Sequence, residues 1–321
     1  MKYNLIAFSL LALPLVAKAN PTWVDHQRIK LQEQLASWAN SIDDWIGTPD
    51  PNNPASAGIR IMLDSNWNRY DGYSVKPRIR GKIKLPALKQ HLSVVFGDED
   101  LDNQARDQNQ LHRNYREPLD KHKRYDSKQV RDNNASLALR WSNGVKALGV
   151  DTDVDLGIRS GTDIFLRFKV AKTWKHNEVF STRLEQIYRY GIESKHYLRT
   201  NFENKFQWKP KVFINNHTFL QYTRDLDENV EWGNSLYRQH DFAGYKKLSY
   251  GLFVGGNINK KKADLTHYGP FINWRQPIWK DWVFIQPEVH FYNDKKQNRK
   301  HHFGAFYDLK RFSNIFFRQT K

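Results

Sequence analysis

Hydrophobic and ionised residues alternate along much of the chain, and segment 150–158, VDTDVDLGI, shows this pattern most clearly. Its aliphatic residues share one parity and its three aspartates share the other. Successive side chains of a strand point to opposite faces, so a strand here would have one hydrocarbon face and one ionised face. Such a strand suits either a soluble sheet or the wall of a membrane barrel, which has lipid outside and water inside.

The same period of two recurs from about residue 56 to residue 312, in segments of roughly 10–14 residues. These segments exceed the usual globular strand of about 5–6 residues and match a tilted membrane-crossing strand of about 9–11 residues plus overhang. Counting these segments predicts about 14 antiparallel strands, or 12 if 230–244 and the last segment are not strands. Bacterial single-chain barrels use even strand counts. The strands are predicted near 56–70, 73–85, 88–98, 130–142, 147–159, 162–174, 178–190, 195–208, 211–224, 230–244, 248–259, 264–276, 282–293 and 301–312.

Three prolines fall inside predicted strands: Pro77, Pro270 and Pro287. Proline cannot donate to a strand ladder, and a closed barrel has no edge strand to hold it. β-Bulges at these positions would accommodate the prolines.

Segment 23–46 has helical spacing instead of alternation. Its stripe of Leu31, Leu35, Trp38, Ile42 and Trp45 repeats every three or four residues, which predicts an amphipathic helix. Glycine and three prolines follow the segment, so residues 20–55 are predicted as a short helix and a Pro-rich linker. Two placements fit: a helix packed on the rest of the domain, or a periplasmic helix that docks in or beneath a barrel mouth.

The first 19 residues have the features of a secretory signal peptide. Lys2 precedes an apolar run over 5–16 that is too short to span a bilayer, and Ala17 and Ala19 are the small residues that a signal peptidase recognises. Cleavage is expected before Asn20, so residues 1–19 are excluded from the fold. A retained N-terminal anchor is the alternative.

Composition narrows the class of protein further. The chain has no cysteine, which excludes a disulfide framework and thiolate chemistry. Its net charge of +17 would suit a nucleic-acid ligand, but export argues against one and favours anionic lipid or an acidic solute. Aromatic residues make up 14% of a polar chain, which fits a barrel with a wet lumen better than a large buried core.

Several tryptophans lie near short turns, which predicts a girdle, a band of aromatic side chains at one membrane–water interface. If the first strand runs outward, the turns near these residues lie on the periplasmic side and the long polar connection 99–129 lies outside. The predicted girdle residues are Trp141, Trp174, Trp208, Trp279 and Trp282.

With these features, residues 56–312 resemble the outer-membrane β-barrel proteins of Gram-negative bacteria as a class. Many barrels of this class end in a strand with a terminal aromatic residue, and HHFGAFYDLKRF could be that strand, ending at Phe312. The chain departs from this pattern because a tail, 313–321, follows. The resemblance implies an all-β transmembrane barrel in the outer membrane, with the barrel-assembly machinery, lipid and lipopolysaccharide as partners. Basic clusters at 121–124 and 259–262 could meet lipopolysaccharide phosphates or simply be solvated.

Catalytic and metal-binding signals are weak. The motifs of serine hydrolases, zinc proteases and phosphate-binding loops are absent from the sequence, and no residue is assigned as catalytic. A hydrolase site could still assemble around His217, with Asn215 and Asn216 beside it, or around His267. The acidic run that begins at Asp98 lacks the glycine and the final glutamate of a calcium loop. We therefore expect neither a metal ion nor a cofactor.

The charged residues of the predicted strands share one face, and this face is the candidate lining of the lumen. Four cations follow one another on the second predicted strand, and the three aspartates of 150–158 form a carboxylate ladder on another. The predicted lumen-lining residues are Arg60, Arg78, Arg80, Lys82, Lys84, Arg140, Asp151, Asp153, Asp155, Arg167, Lys169, Arg199 and Glu203.

Three functions fit this lumen. The first is a channel for small solutes, in which opposed acidic and basic walls set selectivity and the excess of positive charge favours anions. The second is a closed barrel, structural or lipopolysaccharide-interacting, whose interior is filled by ion pairs. The third is an outer-membrane hydrolase that modifies lipid.

Overall fold

The computed structural model of the chain describes 14 β-strands with most of their turns, together with part of one N-terminal helix. The described residues are 26, 29–30, 33–35, 37–41, 56–68, 72–84, 92–97, 135–145, 149–160, 162–224, 230–259, 262–279, 282–295, 298 and 300–314. The signal-peptide segment, the Pro-rich linker, connection 99–129 with its acidic run and basic cluster, and most of the C-terminal tail lie outside these residues.

The strands form one closed antiparallel sheet. Each strand pairs with its neighbours in the chain, and the last strand pairs with the first, so the sheet closes into a barrel. The strands are β1 (Ser56–Asn68), β2 (Gly72–Lys84), β3 (Leu92–Gly97), β4 (Ser136–Val145), β5 (Val150–Arg159), β6 (Asp163–Lys175), β7 (Phe180–Gly191), β8 (Lys195–Lys209), β9 (Val212–Thr223), β10 (Val230–Asp241), β11 (Lys247–Asn259), β12 (Lys262–Trp279), β13 (Val283–Asp294) and β14 (Lys300–Asn314).

The prediction of a closed antiparallel barrel is confirmed, and the strand count is the upper of the two expected values. Three strands end two or three residues later than the alternation indicated. β4 ends at Val145. β12 reaches Trp279, beyond a register shift between Pro277 and Trp279, and β14 continues past Phe312 to Asn314. β14 extends beyond Phe312 because it closes the barrel against β1, where Ser313 and Asn314 still have backbone partners.

The two faces of the barrel wall differ sharply. One parity of each strand is exposed and hydrocarbon-rich, as in Leu139, Leu156 and Leu166, which lie side by side on β4, β5 and β6. The other parity is buried and largely polar, as in Arg140, Asp155 and Arg167 on the same three strands. A soluble protein would bury the first set and expose the second, so this wall is built for lipid outside and polar groups inside.

The three strand prolines lie on the outward face. Pro77 pairs with Leu63 and Pro287 with Tyr307, and the register of both ladders continues through them without a shift. Bulges expected at these two sites are therefore not present. Pro270 lies opposite Leu252 on the outward face of β12.

The barrel has two distinct ends. The chain enters β1 and leaves β14 at one end, here called the termini end, which also carries short turns such as 210–211 between β8 and β9. The opposite end, here called the loop end, carries the long connection 98–135 between β3 and β4.

The N-terminal helix, α1, is described at residues between 26 and 41 and packs on the outer wall of the barrel. Leu35 and Ala39 are buried against Ala57 of β1 and Ile83 of β2. Ala57 and Ile83 pair directly and share the outward parity of Ile79, so the helix docks beside the barrel near its termini end. The described contacts of Leu35 and Ala39 are therefore with the outward face of the wall. No helix in the described part of the chain is both long and apolar enough to cross a bilayer.

Candidate permeation pathway

The structure brings the predicted lumen-lining residues to one side of the wall. Arg140, Asp155 and Arg167 occupy directly paired positions on three strands, and the rest share the inward parity of their own strands. Those on β1 and β2 are Arg60, Arg78, Arg80, Lys82 and Lys84; those on β4 to β6 are Arg140, Asp151, Asp153, Asp155, Arg167 and Lys169; those on β8 are Arg199 and Glu203.

A buried ion triad crosses β4, β5 and β6. Asp155 accepts hydrogen bonds from Nε and Nη2 of Arg140 at 2.7 and 2.9 Å, and from Nη1 of Arg167 at 2.6 Å. All three side chains are almost fully buried. Two guanidinium groups on one carboxylate leave the triad with a net positive charge inside the barrel, held in place by charge-assisted hydrogen bonds.

A second ion pair lies next to the triad, one step closer to the termini end. Asp153 lies 3.0 Å from Nζ of Lys169 and accepts a hydrogen bond of 2.7 Å from the Ser142 hydroxyl. The third aspartate, Asp151, is exposed at the end of the ladder. The carboxylate ladder of β5 is therefore matched by cations on β4 and β6 for two of its three members.

A polar network continues around the wall across β7, β8 and β9. Asn201 donates to Glu185 at 3.0 Å and accepts from Nε of Arg199 at 2.9 Å. Arg199 also donates to Gln221 at 2.7 Å and lies over the ring of Phe219. These buried groups bind one another across three strands, which fixes their rotamers.

The opposite wall, formed by β10 to β14, is aromatic and rich in glycine. Phe253, His267 and Tyr292 form a buried ring cluster with centroids 5.0 to 6.0 Å apart. Glycines make room for such rings: a Cβ on Gly233 would lie 2.5 Å from the ring of Phe219, and one on Gly255 would lie 2.6 Å from the ring of Phe253. Sequence reasoning missed this wall, although inward-parity glycines within long strands were a signal for close-packed neighbours.

The inward side chains of the described strands are buried in the middle of the wall and less buried at its termini end. On β6, β7 and β8 the inward side chains are buried towards the loop end and become exposed towards the termini end. We call this exposed and half-buried inward part the vestibule. Among the side chains that the structure describes there, cations outnumber carboxylates: Arg60, Lys82, Lys84, Asp151, Asp153, Lys175, Arg183, Glu203, Lys205, Asp241, Lys247 and Arg275.

The predicted girdle residues differ in how exposed their side chains are on the outer wall. Trp141 and Trp174 are exposed on the outward face, 41% and 37% respectively, and Trp208 shares the outward parity of Phe206. Trp279 pairs with outward-facing Val283 and is half-buried. Trp282 is 3% exposed, so its ring does not lie on the exposed outward face with Trp141 and Trp174.

The four residues considered for catalysis are divided between the two faces. His217 faces the lumen within 3.3 Å of Asn201, and Asn215 donates to the Tyr237 hydroxyl at 2.9 Å. Asn216 lies on the outward face and hydrogen-bonds Asn234. His267 belongs to the aromatic cluster, so the structure does not bring these residues together as one site. Among the described residues, no group of three or more metal-ligating side chains converges.

No protein-family model and no curated protein matches the chain. Among solved structures, the porin NanC is 6% identical, with a TM-score of 0.38, over 80% of this chain and 100% of that one. A loop-deletion mutant of OmpT, an outer membrane protein of Vibrio cholerae, is 8% identical (TM-score 0.45) over 81% and 99%. A bacterial polysaccharide outer membrane secretin is 10% identical (TM-score 0.46) over 81% and 98%.

The described strands form a closed antiparallel barrel in which exposed hydrocarbon surrounds a polar interior, the arrangement typical of membrane β-barrels.

Proposed function

We propose that this protein is a narrow channel that passes small anionic solutes across the outer membrane. The observation that carries the proposal is the cation-rich vestibule, which leads from the termini end to the Arg140–Asp155–Arg167 triad. Charges of one sign that line a cleft with low-dielectric walls raise the local concentration of oppositely charged solutes. Rings of cationic side chains are also the usual basis of anion selectivity in pores.

The triad lies in the narrow part of this path. Arg140 and Arg167 present donors on both sides of Asp155, and Lys169 follows one step towards the vestibule. A small anion entering from the vestibule would meet these donors in sequence. Because the neighbouring inward side chains are packed, the path suits small solutes and a low conductance.

One observation favours a second function, the closed barrel. Arg80 is 0% exposed and Arg140 is 1% exposed, so ion pairs and packed rings could fill the whole lumen. Buried charges must be paired, and a filled, fully paired interior would stiffen a wall that serves only as a membrane anchor or a lipopolysaccharide contact.

We further place the termini end on the periplasmic side, with α1 against the outer wall at that surface of the membrane. Both termini of bacterial single-chain barrels lie on that side. The polar residues Lys30, Glu33 and Asn40 of α1 are exposed, which suits an interfacial position. Cleavage after residue 19, delivery by the barrel-assembly machinery in a Gram-negative cell, and lipopolysaccharide around the loop end complete the proposal.

Planar-bilayer recording of the purified, folded protein tests the channel. Under a salt gradient we expect single-channel steps and a reversal potential of the sign that indicates anion preference. Lys205→Glu with Lys247→Glu inverts two vestibule charges and should move the reversal potential towards cation preference.

Lys262→Glu with Lys30→Glu is the matched control, since both lysines are exposed, the first at the loop end and the second on α1 outside the barrel wall. A folded protein without conductance would end the channel proposal and leave the closed barrel. Conductance with equal shifts in the vestibule and control variants would mean that the vestibule does not set selectivity.

A further inference from the structure

Polar side chains cross the outward face of the barrel on β7 to β10, from the girdle of the termini end on β7 to mid-height on β10. On β4 to β6 the outward positions at mid-height are hydrocarbon, for example Leu139, Leu156 and Phe168. On β7 to β10 they include amides and hydroxyls. We call this set the polar stripe: Thr182, Asn204, Asn216, Thr218 and Asn234.

Strand pairing aligns the stripe into a continuous band. Thr182 lies opposite Asn204, Asn204 opposite Asn216, and Thr218 opposite Asn234. Thr182 pairs with Trp174 and lies 2.9 Å from Nε2 of His176 in the turn before β7, so the band begins at the girdle of the termini end. It continues through Asn204 and Asn216 to Thr218 and Asn234, which lie near the middle of β9 and β10. The part of the stripe formed by Asn216, Thr218 and Asn234 therefore lies within the hydrocarbon zone.

Hydrogen bonds join the stripe but do not use all of its groups. Asn216 and Asn234 exchange two amide hydrogen bonds of 3.1 Å, and Asn234 also donates to Thr218 at 2.7 Å. Thr182 donates to the Asn204 oxygen at 2.8 Å. Each amide offers two N–H donors and an oxygen with two lone pairs, so the stripe keeps hydrogen-bonding capacity that lipid cannot satisfy.

Exposure of such groups to acyl chains is costly, because nothing in hydrocarbon can donate or accept a hydrogen bond. A protein surface that covers the stripe would remove that cost. The covering surface must itself carry both donors and acceptors and no net charge.

We propose that the polar stripe is the contact surface for a second copy of this chain. Amides and hydroxyls both donate and accept, so the stripe complements itself when two copies meet around a two-fold axis. A stripe of charged groups would repel its own copy, and this one has no charge. The inference is independent of whether the lumen conducts.

Cysteine crosslinking tests this arrangement directly, because the chain has no cysteine of its own. Single variants Asn204→Cys, Thr218→Cys and Asn234→Cys would be treated in native outer membranes with a membrane-permeant bismaleimide. We expect a covalent dimer of the chain for at least one of them, at several times the yield of Leu156→Cys on the all-hydrocarbon face. A yield no higher than that of Leu156→Cys in all three, or crosslinks only to other proteins, would overturn the proposal.

A second variant separates assembly from folding. Asn216→Leu with Asn234→Leu replaces the amide pair by hydrocarbon that lipid solvates well. We expect a heat-modifiable barrel with unchanged mobility on gels and a monomer mass in detergent, against a dimer mass for the native chain. A dimer mass that survives in the leucine variant, or a monomer mass for the native chain, would contradict the proposal.

Discussion

Replacement of Asp155 by alanine is expected to lower the free energy of unfolding by about 3–5 kcal/mol, because it leaves two buried guanidinium groups without their shared carboxylate. Asp155 accepts three hydrogen bonds from Arg140 and Arg167, and the three side chains are almost fully buried. Two like charges would then face each other in a packed interior. The loss would appear as a lower denaturant midpoint for refolded protein in lipid vesicles, followed by tryptophan fluorescence.

Two further variants test whether the loss of stability in Asp155→Ala comes from the buried triad. Asp151→Ala removes a carboxylate from the same ladder at an exposed position and should change the midpoint little. The triple variant Asp155→Leu, Arg140→Met, Arg167→Met removes the whole triad and should recover most of the stability, since apolar replacement of a buried ion network is often neutral. Equal losses for Asp151→Ala and Asp155→Ala would contradict the buried triad.

Leu156→Arg is expected to destabilise the barrel by about 2–4 kcal/mol, the cost of an arginine on the lipid face near the bilayer midplane. Leu156 is 58% exposed and has Leu139 and Leu166 as its outward neighbours. In a water-soluble sheet the same exposed leucine would accept arginine at almost no cost. The measurement is the unfolding free energy of the refolded variant in vesicles.

Asn143→Arg serves as the depth control for this prediction. Asn143 shares the outward parity of Trp141 on β4 but lies closer to the termini end, where arginine costs about 0–1 kcal/mol. A Leu156→Arg variant as stable as Asn143→Arg would mean that Leu156 does not meet hydrocarbon.

The alternation of β5 and β6 was sufficient to predict both faces of the wall there, because period two is a local property of the backbone. The same reasoning placed Arg140, Asp155 and Arg167 on one side, but it could not show that they meet. Their contact depends on register between three strands, which the alternation of a single strand does not determine.

Features that depend on neighbours across the sheet were harder to predict. Asn204, Asn216 and Asn234 look like isolated polar residues along the chain, and only the pairing of β8, β9 and β10 aligns them. The aromatic wall likewise requires Gly233 and Phe219 to lie opposite each other. The position of α1 depends on the outward surface of β1 and β2, which the helical stripe alone does not specify.

The central claim is that the two parities of the wall meet different solvents, hydrocarbon outside and a polar lumen within. Single nitroxide labels on otherwise cysteine-free protein in vesicles test it most directly, at outward Leu166 and Val170 and at inward Thr173 and Arg183. We predict that the outward labels collide mainly with oxygen dissolved in lipid and the inward labels mainly with a water-soluble nickel chelate. Equal access of both reagents to both sets would contradict the account.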